Sequence, residues 1–248
     1  MTPRVFGVPI EGGDRDHVQA ILRTRSSTRI VTTNPEILLA AERDPAYKDA
    51  LLAADWRTVD GFGLGLVLRL HGMRVLRYTG VDLAEDMMHE AASNQRRVAF
   101  FGGSPEALEG ALACWRARYP ELELRGFAGG MVDASGREDG RTWEARSAME
   151  AWKPGVLLVA LGGGTKQERW IARHRAAWQG IRVIVGVGGA FDMWSGIKPR
   201  APKVLRLLGL EWAWRLAIEP GRWKRIVRAT LVFPVRAWRH VARDSGFA

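Results

Sequence analysis

One acidic residue stands where a short β-strand would give way to a helix. Asp60 follows the predicted strand that ends in the β-branched residues Thr58 and Val59, and it precedes Gly61. A half-buried carboxylate at the carboxyl end of a parallel strand is a candidate general base, which would take a proton from a substrate hydroxyl. The same residue would also suit the N-cap of a helix over residues 62–70. Position alone leaves both interpretations open.

Glycine clusters follow three other apolar runs and indicate places where the backbone could approach a diphosphate closely. The clusters are Gly102 with Gly103, Gly162 to Gly164, and Gly186 with Gly188 and Gly189. Backbone N–H groups and helix N-termini at such turns attract phosphate oxygens. Close packing of a turn would use the same glycines. No cluster completes G-x-G-x-x-G with an acidic residue about twenty positions later, as a dinucleotide-binding enzyme would.

The last fifth of the chain combines arginine with tryptophan. The formal net charge is +10, of which residues 200–248 carry +8. Charge concentrated in this way favours a local anionic partner. Four arginines recur at short intervals and would share one helical face if the turn at residues 220–221 permits: Arg215, Arg222, Arg225 and Arg228.

Tryptophans in the same segment supply apolar surface suited to a lipid headgroup boundary. They are Trp212, Trp214, Trp223 and Trp238. The segment is therefore expected to dock on an anionic membrane, although a basic helix whose tryptophans pack on the protein core would have the same composition.

The elements that must position these residues are predicted by alternating strand and helix patterns. Apolar, β-branched runs end in polar or glycine-rich turns at residues 29–34, 56–61, 97–103, 156–164 and 182–192. This alternation predicts an α/β fold, with a Rossmann-like, mainly parallel sheet flanked by helices. Ligands of such sheets bind beyond the carboxyl ends of the strands. Residues expected to meet there include Thr32, Thr33, Asn34, Asp60, the glycine clusters and Asp192.

Local signals fix where two of the helices begin. Asn34 suits an N-cap and Pro35 the first helical position, and the pair Ser104 and Pro105 repeats this pattern. After Lys198 the remaining sequence reads as helices with no strand between them. The sequence therefore predicts a catalytic α/β domain over residues 1–196 and a basic helical appendage over residues 197–248.

Features that the sequence lacks bear on the cellular compartment and on the use of metal ions. Residues 1–16 lack the long apolar segment of a signal peptide, and no run of about eighteen apolar residues predicts a membrane span. The single cysteine, Cys114, fits a reducing cytoplasm and is expected to be a small core residue. Asp14 and Asp16 form a D-x-D, but their place before the first helix favours capping. The five histidines show no ligand spacing, so no zinc site is indicated. We expect no metal and no cofactor.

Seven motifs, in order, resemble the WecG/TagA/CpsF glycosyltransferases from about Phe6 to Arg225. The motifs are VTTNPE, VDGFGLGL, RYTGVDL, FFGGSPE, LGGGTKQERW, GVGGAFDMWSG and RAPKVLRLLGLEWAWRLAIEPGRWKR. The resemblance implies a cytoplasmic enzyme, peripheral on the inner face of the bacterial plasma membrane. It implies transfer of a sugar, with inversion, from a UDP-sugar to a saccharide linked through diphosphate to a polyprenol, in cell-surface polysaccharide synthesis. No metal site belongs to the family pattern.

The resemblance also implies roles for particular residues. Asp60 matches the general base, and Thr32 and Asn34 match a T-x-N pocket that includes the catalytic threonine. Substrate-binding positions are matched by Arg77, Gln167, Glu168, Arg215, Arg222 and Arg225, the last three at the acceptor diphosphate. The chain departs from the usual L-G-x-P-x-Q-E at LGGGTKQE, which is one residue longer and lacks the proline. That departure bears on the donor sugar, for which UDP-N-acetylmannosamine, its uronic acid and UDP-glucose all fit.

Two other classes of protein explain part of the pattern. A nucleic-acid-binding protein would use the basic tail but would leave Asp60 and the glycine clusters without a role, and no helix-turn-helix or aromatic strand platform is present. An NAD-dependent oxidoreductase is disfavoured by the incomplete glycine fingerprint. The sequence therefore favours a glycosyltransferase without a nucleic-acid partner. A homo-oligomer is compatible with the sequence, which does not fix the oligomeric state.

Overall fold

A computed structural model describes residues 2–23, 26–73, 76–163 and 165–244. Gly164, the last glycine of its cluster, lies outside these residues, as do the four final residues of the expected appendage. Side chains in the last helix are described as far as Val241.

A six-stranded parallel sheet forms the centre of the molecule. The chain begins with a short antiparallel pair, β1 (Arg4–Val5) and β2 (Val8–Pro9), which is separate from this sheet. The strands of the sheet are β3 (Thr28–Thr33), β4 (Trp56–Val59), β5 (Val98–Gly102), β6 (Leu124–Phe127), β7 (Val156–Ala160) and β8 (Val183–Gly186). The strand order is β4-β3-β8-β7-β5-β6, and all five pairings are parallel. The expected Rossmann-like α/β fold is confirmed.

Helices follow the strands and cover both faces of the sheet. They are α1 (Arg15–Arg23), α2 (Pro35–Arg43), α3 (Pro45–Leu52), α4 (Phe62–Leu70), α5 (Gly80–Ser93), α6 (Pro105–Arg118), α7 (Gly140–Trp152), α8 (Lys166–Arg173), α9 (Ala190–Trp194), α10 (Lys203–Leu207), α11 (Glu211–Ile218), α12 (Trp223–Val227) and α13 (Phe233–Asp244). A 3₁₀ turn at Pro220–Arg222 precedes α12, and a π-helical turn at Arg228–Val232 precedes α13.

The predicted helix starts hold in the structure. Asn34 Oδ1 accepts the N–H groups of Glu36 and Ile37 at the start of α2. Ser104 caps α6 by accepting the N–H of Ala107. Asp14 Oδ1 likewise accepts the N–H of His17, 3.2 Å away, as expected of a cap rather than a metal ligand.

The core consists of apolar layers on the two faces of the sheet, because successive strand side chains point to opposite faces. Phe100 belongs to the layer under α5 and α6, and Phe101 belongs to the layer under α7 and α8. Phe101 stacks on Trp170, with ring centroids 4.7 Å apart. Both layers hold the strand ends in fixed positions, which is what a site at those ends requires.

The last helix returns to the body of the protein. Phe233, Ala237 and Val241 of α13 are buried in the cluster that also contains the β1–β2 hairpin and the inner face of α4. Close approach is possible because Gly63 has no side chain: a Cβ at that position would lie 2.6 Å from the Ala229 carbonyl oxygen. Part of the expected appendage is therefore packed as body core.

A proline explains the π-helical turn that leads into α13. Pro234 has no N–H to donate and its ring crowds the carbonyl of the preceding turn. The Phe233 N–H instead bonds to the carbonyl of Arg228, five residues earlier.

The expectation that Cys114 is a core residue is wrong. Cys114 is exposed, because the buried face of α6 is formed by Ala107, Leu108, Ala111, Leu112 and Trp115.

Within the described part of the chain, every helix is too short or too polar to cross a bilayer.

Candidate active site

A cavity of about 720 Å³ opens at the carboxyl ends of the strands. Its wall contains residues that follow β3, β4, β5, β7 and β8, so the strand ends meet in one crevice as expected. The opposite wall is formed by α11, α12 and the turns beside them. A volume of this size is within the range of sites that hold cofactors or drug-sized ligands.

Asp60 lies on the sheet side of the cavity, directly after β4. Its N–H donates to the Thr33 carbonyl at 2.8 Å, and its Oδ2 accepts the Gly80 N–H at 3.4 Å. Burial raises the pKa of Asp60 to about 6, assisted by the Glu211 carboxylate and opposed by the guanidinium of Arg215. Such a carboxyl is mostly ionised at neutral pH and still basic enough to take a proton.

The alternative interpretation of Asp60 as a helix cap does not hold. The N-cap of α4 is Gly61, with φ +89°, and no side chain caps this helix. The carboxylate of Asp60 therefore remains directed to the cavity.

Thr32 and Asn34 lie beside Asp60 on the cavity wall. The Thr32 hydroxyl donates to the Gly186 carbonyl oxygen at 3.3 Å. Asn34 uses its Oδ1 to cap α2, and among the described residues its Nδ2 group has no protein acceptor. That amide can donate to a substrate oxygen.

The glycine clusters divide into two kinds. A Cβ at Gly102 would lie 2.6 Å from the Ala160 carbonyl oxygen, and the Gly103 N–H donates to that same oxygen at 2.7 Å. Both glycines line the cavity, but this geometry is that of close turn packing. In contrast, no acceptor within the described residues takes the N–H groups of Gly162, Gly163 or Gly188, which also line the cavity.

Gly186 does not belong to the cavity wall. A Cβ at Gly186 would lie 2.0 Å from Gln167 Nε2, because the Gln167 side chain packs on this glycine. The expectation that Gly186 faces a diphosphate is therefore wrong, whereas Gly188 and Gly189 do line the cavity.

Gln167 and Glu168 form a hydrogen-bonded group that the sequence did not reveal in full. Gln167 Nε2 donates to Glu168 Oε1 at 3.0 Å, and the Tyr47 hydroxyl donates to Glu168 Oε2 at the same distance. Burial raises the pKa of the Glu168 carboxyl. Burial and the neighbouring Glu168 also raise the pKa of Tyr47 far above its usual value. Glu168 thus holds Gln167 at the cavity edge.

Three of the four predicted arginines, Arg215, Arg222 and Arg225, line the cavity. Arg228 is exposed and does not line it, since it begins the π-helical turn. Each of the three pairs with a carboxylate that also lines the cavity: Arg215 with Glu211, Arg222 with Glu219 and Arg225 with Glu36.

Further contacts join the C-terminal wall to the sheet side. The Arg77 guanidinium donates to the Arg206 carbonyl at 2.5 Å. Lys198 Nζ lies 2.7 Å from Asp192 Oδ2 and 3.6 Å from Glu219 Oε1. Lys198 could not be predicted as a cavity residue, because no sequence motif marks it and its partners, Asp192 and Glu219, are brought to it only by the fold.

The cavity holds equal numbers of acidic and basic side chains among its described lining residues. The acids are Glu36, Asp60, Glu168, Asp192, Glu211 and Glu219, and the bases are Arg77, Lys166, Lys198, Arg215, Arg222 and Arg225. Two of the acids, Asp60 and Glu168, have raised pKa values and so hold protons more readily than usual. The formal charges of the lining therefore balance, and the raised pKa values of Asp60 and Glu168 shift this balance toward positive charge as the pH falls.

The tryptophans of the C-terminal segment take two kinds of position. Trp212 and Trp214 line the cavity, and Trp214 Nε1 donates to the Pro199 carbonyl at 3.2 Å. Trp223 and Trp238 are exposed on the outer surface. In the described residues, no group of three or more His, Cys, Asp or Glu side chains is arranged to hold a metal ion.

Comparison with known proteins identifies similar chains. The family model described as Glycosyl transferase WecG/TagA/CpsF family matches residues 3–246. An N-acetylglucosaminyldiphosphoundecaprenol N-acetyl-beta-D-mannosaminyltransferase of Bacillus subtilis (strain 168) is 33% identical over 199 residues, covering 80% of this chain and 74% of the relative. The proteins of the same name from Bacillus spizizenii, 34% identical over 199 residues, and Staphylococcus aureus (strain MRSA252), 33% identical over 202 residues, match with the same coverage.

Proposed function

The chain belongs to the WecG/TagA/CpsF glycosyltransferase family, and on that premise we propose that it transfers a sugar from a UDP-sugar to a polyprenyl-diphosphate-linked saccharide with inversion at the anomeric carbon. The observation that carries the proposal is Asp60, a half-buried carboxyl with a pKa raised to about 6. It lies on one wall of a cavity whose other wall carries arginines.

The relatives suggest which sugars take part. Their shared name describes transfer of N-acetylmannosamine to N-acetylglucosaminyldiphosphoundecaprenol. We therefore favour UDP-N-acetylmannosamine over its uronic acid and UDP-glucose as the donor. N-acetylglucosamine is the favoured first sugar of the acceptor.

The chemical step needs one base. The acceptor oxygen forms a bond to the anomeric carbon while the bond from that carbon to UDP breaks. The hydroxyl proton passes to Asp60, and UDP leaves with the electron pair. No covalent intermediate on the protein is needed, which accounts for inversion in a single displacement. Thr32, beside Asp60, supports the position of the acceptor hydroxyl.

Negative charge grows on the diphosphate of UDP as it leaves. Gly162, Gly163 and Gly188 line the cavity, and their N–H groups have no acceptor among the described residues. Donors fixed in this way stabilise charge that develops in the transition state without reorganising. Lys166 and Lys198 add positive charge to the same cavity.

The acceptor is also anionic, and the C-terminal wall suits it. Arg215, Arg222 and Arg225 line the cavity opposite the sheet. Guanidinium groups bind phosphate oxygens through paired N–H donors. The diphosphate of the carrier lipid therefore binds here, which leaves its first sugar near Asp60.

A membrane surface follows from the lipid carrier. Exposed apolar side chains on α4 and on the segment leading through α13 lie near one another, since these elements pack together: Leu66, Leu70, Leu231, Val235 and Trp238. The Trp238 ring contacts the His71 ring at the end of α4, 4.3 Å away. Exposed basic residues on the same segments include Arg69, Lys224, Arg228 and Arg239. We place this surface on the anionic inner face of the plasma membrane.

A panel of donors tests the proposal. The chain is mixed with a synthetic prenyl-diphosphate N-acetylglucosamine acceptor and each UDP-sugar in turn, and the product is identified by mass and anomeric configuration. UDP-N-acetylmannosamine should give a β-linked disaccharide on the lipid. Transfer from none of the UDP-sugars, or an α-linked product from a donor that is α-linked itself, would refute the proposed reaction.

A further inference from the structure

The three arginines of the C-terminal wall already have anionic partners within the protein. Two of the pairs are local, since Glu211 lies four residues before Arg215 and Glu219 three residues before Arg222. The third pair differs because Arg225 reaches across the cavity to Glu36 in the first turn of α2.

The geometry of this third pair is that of a phosphate site filled by a carboxylate. Arg225 Nε donates to Glu36 Oε1 at 3.1 Å and its Nη2 donates to Oε2, so both oxygens of the carboxylate are bound. The same fork of N–H groups binds two oxygens of a phosphate. The guanidinium also faces the turn at Gly163, where a Cβ would lie 3.7 Å from Nη2.

The pair is also accessible. The side chains of Arg225 and Glu36 are 47% and 42% exposed, and both line the cavity. A half-exposed ion pair contributes little to stability, so a ligand with more negative charge can replace the carboxylate. The Glu36 carboxylate would then lie close to that ligand and repel it.

We propose that Glu36 occupies Arg225 in the free protein and competes with the diphosphate of the acceptor for it. The inference rests on the proposed function, because it takes Arg225 to be part of the diphosphate site. Substrate and product carry the same lipid diphosphate. A competing carboxylate therefore weakens binding of both and assists release of the product.

The chain provides a matched control on the same two segments. Glu42, one and two-thirds turns further along α2, pairs with Arg236 of α13 at 2.9 Å, and neither residue lines the cavity. Glu42→Gln removes an ion pair between α2 and the C-terminal segment without changing the proposed site. Any effect of a loosened segment should therefore appear in Glu42→Gln as well as in Glu36→Gln.

Inorganic pyrophosphate serves as the probe, titrated calorimetrically into the full chain at constant ionic strength with excess UDP present. Glu36→Gln should bind pyrophosphate about two- to tenfold more tightly than the parent, since a weak pair and a like charge are removed. Glu42→Gln should match the parent, and Arg225→Ala should bind more weakly. In steady-state assays, Glu36→Gln should lower the acceptor KM.

The outcomes separate the two proposals. The role of Glu36 alone would be overturned if Arg225→Ala binds pyrophosphate more weakly than the parent but Glu36→Gln does not bind it more tightly. A Glu36→Gln variant that shows no detectable binding of pyrophosphate counts as the same outcome. Equal binding by the parent and Arg225→Ala would instead remove Arg225 from the diphosphate site, and both proposals about that arginine would fail. A gain in Glu42→Gln equal to that in Glu36→Gln would also overturn the competitor role.

Discussion

At the scale of single residues, the behaviour of Asp60 follows from its surroundings. A carboxyl exposed to water would be fully ionised at neutral pH but a weaker base toward a sugar hydroxyl than one whose pKa lies closer to 7. Burial beside the end of β4 raises its pKa to about 6, while Arg215 and Arg77 limit the rise. The residue is thereby a stronger base that still stays ionised near pH 7.

The pH dependence of the reaction should report this pKa. Because only ionised Asp60 can accept the proton, kcat/KM should fall about tenfold for each pH unit below about pH 6 and level off above that pH. The measurement is a profile of initial rates from pH 5 to 8.5 at fixed ionic strength. A profile that stays flat through pH 6 would contradict the role of Asp60.

Stability should change in the opposite sense from activity. A buried carboxyl with a raised pKa favours the folded state most when protonated, so its contribution is lost as pH rises from its ordinary pKa of 3.8 through about 6. Asp60→Asn, which stays neutral, should therefore have a Tm at pH 8 equal to or above that of the parent. The difference should shrink at pH 5, as differential scanning fluorimetry can show. A large loss of Tm at pH 8 would mean that Asp60 has a structural role.

The proposed role of two arginines in binding the acceptor can be tested by steady-state kinetics. Arg222→Ala combined with Arg225→Ala should raise the acceptor KM or lower kcat, with little change in UDP affinity, since both residues lie on the C-terminal wall. The control is Arg43→Ala, an exposed arginine of α2 that neither lines the cavity nor belongs to the proposed membrane surface. An effect confined to UDP binding would place the arginines at the donor instead.

At the scale of secondary-structure elements, the sequence predicted which residues meet at the strand ends better than it predicted the side-chain contacts between elements. Asp60, Thr32 and Asn34 could be placed together because parallel strands end at one edge of a sheet. The covering of Gly186 by Gln167 could not be predicted, because it depends on a side chain of the following helix. The Tyr47–Glu168 bond and the Glu36–Arg225 pair join residues 121 and 189 positions apart, which no local pattern reveals.

The last helix shows the same limit. Its periodicity predicts one apolar face, but not that the face meets the β1–β2 hairpin and α4 rather than lipid. Phe233 is fully buried there, whereas Val235, two residues later, is 60% exposed. The exposed Trp238 and the buried residues of α13 therefore lie on different surfaces of one helix.

Phe233→Ala should lower the free energy of unfolding by about 3 kcal/mol or more, because it leaves a cavity in a packed core. Val235→Ala on the same helix should change it by less than about 0.5 kcal/mol. Chemical denaturation of both variants provides the measurement. Equal stability of the two variants would show that α13 is not part of the core, as a freely separable appendage would require.

At the scale of the whole molecule, basic charge and exposed apolar side chains occur on neighbouring elements. Residues 200–248 carry +8 of the net charge, and the exposed apolar side chains of α13 lie within this segment, next to those of α4, which packs on α13. A peripheral enzyme needs such a surface to reach a substrate whose tail stays in the bilayer, and to place the cavity mouth at the headgroups.

Vesicle binding should depend on both features. Leu231→Ala combined with Trp238→Ala should weaken sedimentation with anionic vesicles several-fold, and added salt should weaken it for the parent as well. Trp143→Ala is the matched control, because Trp143 of α7 is similarly exposed (54% against 45% for Trp238) but belongs to another face. Equal losses in the two proteins would place the membrane-facing surface elsewhere.

The proposed reaction depends on Asp60 taking the proton from the acceptor sugar. Its direct test is the rate of transfer by Asp60→Asn at pH 8 with the lipid-linked acceptor and the preferred UDP-sugar, alongside UDP affinity measured by calorimetry. Asp60→Asn should lose a factor of about 10² to 10⁴ in rate with UDP affinity unchanged. Transfer within a few-fold of the parent rate would show that Asp60 is not the base.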